Sequence, residues 1–131
     1  MGSDKTYKTT AKHFAIFKAQ VQKELERFGI KNFSVDIAHE QIDGPETFAN
    51  ITWEQQNRWA KIMLNTEWNE EVTEEQVRLS AFHEVLELLL SPMFYLALHS
   101  DEFANSQRYS MATREQHGII RTLENVFGYT K

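Results

Sequence analysis

The chain has 131 residues and no cysteine, which excludes disulfide frameworks, thiolate-held zinc and cysteine nucleophiles. Its 14 basic and 19 acidic side chains leave a formal charge of −5, and a nucleic-acid surface would need a net basic face. No apolar stretch approaches the ~20 residues of a membrane span and the first ten residues lack a signal-peptide core, so a cytoplasmic protein with no membrane partner is expected.

Residues 1–9 read as a flexible leader, and 10–131 as a single domain. Phe14, Phe17, Val21, Leu25 and Phe28 recur at helical spacing and predict a helix over 10–28. Gly29 stands where a C-terminal cap belongs. Phe33, Val35 and Ile37 alternate with polar or small residues, the pattern of a half-buried strand. Asp43-Gly44-Pro45 marks a turn, and Phe48 to Trp53 gives a second strand. Trp59 to Leu64 is a third, with Ala60, Ile62 and Leu64 on one face. Thr73-Glu74-Glu75-Gln76 is a capping-box signature that launches a helix over about 74–90. Pro92 interrupts it, and Met93 to Leu98 follow as a kinked extension. Residues 99–110 are polar and read as a loop before a last helix over 111–127, closed by Gly128. The expected fold is α+β: a small antiparallel sheet of about three strands packed on three to four helices.

The central helix carries the chemistry. Its run Phe82-His83-Glu84-Val85-Leu86-Glu87 puts three titratable groups in an otherwise apolar stretch, where an unpartnered polar group is costly to bury. The spacing is that of the zinc helix His-Glu-x-x-His, with Glu87 in the place of the second histidine. At roughly 100° per residue, His83 and Glu87 share a face one turn apart and can reach one ion. Glu84 lies on the flank, where a general base would take a proton from water activated by a metal. The last helix offers a third ligand in His117, with Glu124 about 20° from it on the helical wheel. His83, Glu87 and His117 make an accepted catalytic zinc set. Glu124 is the alternative ligand, or the acceptor for a ligand histidine's proton. His99 has nothing in the sequence to position it. His13 and His39 read as ordinary surface or loop histidines. No histidine has a glutamate three residues before it, which removes a carboxylate-bridged di-iron bundle.

A helix, a small sheet, a helix bearing His83-Glu84-Val85-Leu86-Glu87 and a second helix with Glu115-Gln116-His117 together resemble the minimal zincin-like metallopeptidase domains. The chain looks most like the small metallopeptidases encoded by bacteriophages, with SprT-like domains a more distant comparison. The resemblance runs over about residues 33–127. It implies a zinc-dependent hydrolase of peptide bonds in a bacterial or phage-infected cell, acting on a peptide or protein. It also implies that an extended substrate pairs with a sheet strand beside the metal helix, and Trp59 to Asn65 is the strand expected to receive it. An inactive zincin-like module that binds another protein is the competing expectation.

Overall fold

The structure is a computed structural model that describes residues 5–99 and 106–129, with side chains over 5–95 and 110–129. The elements in chain order are β1 (Tyr7–Lys8), α1 (Ala11–Arg27), β2 (Ser34–His39), β3 (Ala49–Glu54), β4 (Trp59–Leu64), β5 (Glu67–Trp68), α2 (Glu74–His99) and α3 (Ser106–Val126). It is α+β, with three helices among the described residues.

Both ends of α1 are set by local chemistry. Thr10 and His13 form a reciprocal cap: His13 N–H donates to Thr10 Oγ1 at 3.2 Å, and Thr10 N–H donates to His13 Nδ1 at 3.0 Å. At the other end Gly29 adopts φ 64°, its N–H donates to Glu26 C=O, and Ile30 N–H donates to Leu25 C=O. That is a Schellman cap, in which a left-handed residue lets the chain turn back on the last carbonyls. Gly128, at φ 86°, repeats it at the end of α3, with Tyr129 N–H donating to Glu124 C=O at 2.7 Å.

The sheet is mixed, which corrects the antiparallel expectation. Its order is β2-β4-β3, with β2 parallel to β4 and β3 antiparallel to it. The cause lies in the connection between β2 and β3. It crosses the end of β4 and is fastened there by Asn65, which is 1% exposed. Asn65 Oδ1 accepts from Ile42 N–H, and Asn65 Nδ2 donates to Gly44 C=O and to Thr47 C=O at 2.7 Å. The chain therefore reaches the far side of β4's position, and β4 returns between its neighbours. The strand expected to receive a substrate is thus the central one, with both edges taken. The edge beside α2 is β3.

A second, two-stranded sheet pairs Tyr7 with Trp68 and Lys8 with Glu67. It ties down the end of the stretch expected as a leader. Thr9 is buried and donates to Asn65 C=O at 2.8 Å. With that hydroxyl proton spent, His39 must donate its Nε2–H to Thr9 Oγ1, at 2.7 Å. His39 belongs to β2 and stacks on Phe14 at 5.2 Å, so it is a packing residue rather than the surface or loop histidine expected.

Helix α2 runs through Pro92 without a break. Proline removes the N–H that would reach Leu88 C=O. Ser91 replaces it, donating its hydroxyl to that carbonyl at 2.7 Å, and Gln55 from the β3–β4 turn donates to Ser91 Oγ at 2.8 Å. The last helix starts at Ser106, earlier than expected, so 106–110 are helical rather than loop; residues 100–105 lie outside the described residues.

The inner sheet face (Ile62, Leu64, Ala49) packs on Phe17 and Val21 of α1 and on Val77, Ala81 and Val85 of α2. A second cluster joins Phe82 and Leu86 of α2 to Ile120 of α3. Helix α2 is therefore the shared wall of both cores.

Asn65→Ala strands buried backbone groups on the 40–48 connection, each costing about 1–3 kcal/mol when unsatisfied. The expected loss is at least about 2 kcal/mol, read as a lower urea midpoint with an unchanged slope.

Candidate functional site

Helix α2 presents Gln76, Leu79, Ser80, His83 and Glu84 at three- and four-residue steps, so they line one face. That face forms one wall of an open groove of about 410 Å³. The opposite wall is Glu46 to Ala49, the segment that Asn65 holds and that leads into β3. Glu124 of α3 closes the end of the groove beside His83.

His83 sits between two carboxylates. Its Nε2 is 3.0 Å from Glu87 Oε2 and its Nδ1 is 2.9 Å from Glu124 Oε2. An ionised carboxylate can only accept, so both ring nitrogens donate and the ring is the imidazolium form. The local electrostatics agree in direction. Burial alone would lower the pKa, but the hydrogen bond to Glu87, the charge of Glu84, the hydrogen bond to Glu124 and the charge of Glu87 outweigh it and raise it from 6.5 to about 9.

Glu84 is 6% exposed. Among the described residues no hydrogen bond reaches its carboxylate. Burial first, and the charge of Glu87 second, push it from 4.5 up to about 8 against the pull of His83. A carboxylate in that setting holds its proton at neutral pH.

His83, Glu84 and Glu87 each offer a ligand atom, and those atoms lie within 4.8 Å of one another, so the three could hold a metal ion. The donor set of one imidazole and two carboxylates fits a divalent cation that takes three protein ligands. Glu84, buried without a partner, is the group with most to gain from one. His117 stands outside that group. It is exposed, with its ring centroid 6.4 Å from that of His83. Glu124, its neighbour on the helical wheel, is the α3 residue that meets His83. His99 ends α2, and its side chain lies outside the described residues.

The edge of β3 continues the groove. Asn65 N–H donates to Phe48 C=O at 2.9 Å, one step beyond the Ala49–Leu64 pair. Bonded pairs alternate in an antiparallel ladder. Ala49, Ile51 and Trp53 therefore turn their backbone N–H and C=O groups away from β4, toward the edge.

Two features escaped the sequence reading. One is the groove wall at Glu46–Phe48, which falls between the expected turn at Asp43-Gly44-Pro45 and the strand expected from Phe48. The other is a polar cluster of Gln20 and Glu24 on α1 with Tyr129. Gln20 and Glu24 lie on the α1 stripe of Phe17 and Val21, and polar residues on an apolar stripe were the available signal.

Compared with known protein families, with curated proteins and with solved structures, the chain matches none of them. Among the described residues no helix is long and apolar enough to cross a membrane.

The protonated pair gives the metal-free protein a defined pH response. Both folded pKa values exceed their unfolded ones, so the native state binds the extra protons. The His83 contribution is full below pH 6.5 and is lost as pH rises through about 9; that of Glu84 is full below 4.5 and is lost through about 8. The melting temperature of metal-free protein should therefore fall between pH 6.5 and 9, and Glu84→Gln should flatten the fall. A melting temperature that rises over that range would reverse the assignment.

Proposed function

We propose that the chain is a divalent-metal-dependent hydrolase of peptide bonds, of zincin-like form, with zinc as the ion. The observation that carries this reading is the convergence of His83, Glu84 and Glu87 on α2, with His83 and Glu84 lining a groove and Glu84 buried without a hydrogen-bond partner. His83 Nε2 and a Glu87 oxygen would hold the ion, and Glu124 would accept the Nδ1 proton of His83. That arrangement fixes ring orientation in histidine metal sites. His117 is the candidate for a further ligand. When bound, the ion supplies Lewis-acid polarisation of water and of the substrate carbonyl. Glu84 takes a proton from the attacking water and returns it to the departing amine. Its raised pKa suits a group that must accept and release a proton near neutral pH. An extended substrate would add to the edge of β3, pairing with the backbone of Ala49, Ile51 and Trp53. The ordering of edge strand, groove and helix supports a peptide as substrate class, and the sequence resemblance to phage metallopeptidase domains supports the same class.

A second reading has its own observation. Glu87, His83 and Glu124 already satisfy one another, so the trio is stable without an ion. On that reading the chain is an inactive zincin-like module that uses the same groove and edge to bind a protein.

The two readings differ in metal content. Protein purified without added zinc should carry one ion per chain, lost in His83→Ala and in Glu87→Ala; well-folded protein with no ion that takes up none on titration supports the binding module. Glu84→Gln should keep the ion and abolish cleavage in a peptide library. Loss of the ion with the cleavage would make Glu84 a ligand and remove it as the base.

Because His83 and Glu84 both hold protons at pH 7, taking up zinc must expel them. Calorimetric titration in buffers of different ionisation enthalpy should show between one and two protons released per zinc bound at pH 7, with affinity rising toward pH 9. Binding without proton release would place the ion elsewhere.

A further inference from the structure

Glu124 meets His83 only if the last turn of α3 is held in register. Two aromatic residues anchor that turn. Phe127 packs on Phe28 at 5.7 Å and on Phe82 at 5.6 Å, and Arg27 lies over its ring. Such contacts are non-directional, and they tolerate sliding and rotation of a helix. Tyr129 is different in kind. Its N–H donates to the carbonyl of Glu124 itself, at 2.7 Å, through the Gly128 cap. Its ring stacks on Phe82, the residue before His83, at 4.5 Å and 25°. Its hydroxyl lies 2.9 Å from Gln20 Nε2 and 3.2 Å from Glu24 Oε2.

Those last two partners belong to α1, and both are fixed. Gln20 also donates to Glu24 Oε2 at 2.6 Å, and Glu24 is fully buried. The other Glu24 oxygen lies 3.0 Å from Arg27 Nε, an ion pair without a hydrogen bond. The Gln20 amide donates to the Tyr129 oxygen, and the Tyr129 O–H donates to Glu24. The hydroxyl is therefore used in both directions. A buried carboxylate on α1 thus sets the position of a residue bonded to Glu124, whose own carboxylate sets the ring of His83.

We propose that Tyr129 is a positioning residue for the His83 centre, holding the last turn of α3 so that the Glu124 carboxylate stays on His83 Nδ1. Its bearing on ion binding rests on the reading of His83 as a metal ligand.

The test uses the full chain, zinc ion alone as the probe, and the variants Tyr129→Phe, Glu124→Ala and their combination. Tyr129→Phe keeps the ring stack and the backbone cap and removes only the hydroxyl. It should lower zinc affinity about 10-fold, at the low end of the range for loss of an outer partner of a ligand histidine. Glu124→Ala should cost at least as much, and the double variant no more than Glu124→Ala alone, because one residue acts through the other. Additive losses, or wild-type affinity in Tyr129→Phe, overturn the proposal. If the wild-type protein takes up no zinc, the metal reading fails and the positional inference is decided on metal-free protein. The His83 Nδ1–H signal in nuclear magnetic resonance should then be protected from exchange in the wild type and lost in Tyr129→Phe; equal protection in both overturns it. Should Tyr129→Phe fail to fold, Gln20→Met removes the hydroxyl's partner on α1 and must show the same pattern.

Discussion

Helix α2 packs at once against α1, α3 and the edge strand β3, and this burial governs the rest of the molecule. A helix enclosed on three sides leaves its inner residues little access to water. Every buried polar group on it must find a protein partner or accept a shifted titration. Ser91 finds Leu88 and Gln55. His83 finds Glu87 and Glu124. Glu84 finds none and is neutralised by proton uptake. The same constraint thus explains how a proline is tolerated and why one carboxylate holds a proton at neutral pH.

Most of the local structure was legible because it is written in short-range chemistry. Thr73 caps α2 as its sequence signature requires, accepting from Gln76 N–H at 3.1 Å. Gly29 turns the chain after α1, and the alternation in β2 and β4 locates both strands within about a residue. Sheet order was not legible, because alternation reports which face a residue takes and not which strand lies beside it. The continuity of α2 was missed because the rule about proline concerns the lost N–H, whereas the outcome depended on the hydroxyl one residue before it.

The site shows where a helical wheel stops being informative. It grouped His117 with Glu124 by angle, yet seven residues separate them by about 10 Å along the axis. The packing of Ile120 and Leu123 into the Phe82 cluster brings Glu124 within hydrogen-bond reach of His83 and leaves the His117 ring 6.4 Å from the His83 ring, centroid to centroid. The His83-to-Glu87 spacing, by contrast, is contained in one turn of one helix and needed no tertiary information. Glu84 was expected on the flank of the face that His83 and Glu87 share, and its burial, 6% exposed, could not be seen from α2 alone.

The position of β4 has a kinetic consequence. It is the last of the three strands in sequence and the middle one in space, so no sheet exists until it arrives. Its antiparallel partner β3 is joined to it by a four-residue turn with Arg58 in the left-handed region, and that hairpin can form by itself. The parallel pairing with β2 must instead close a loop from Val35 to Ala60, across the connection that Asn65 fastens. Closing that loop costs chain entropy before any contact repays it. The step that completes the three-stranded sheet is therefore also the step that seats the groove wall, and assembly of the site is tied to the longer-range of that sheet's two pairings.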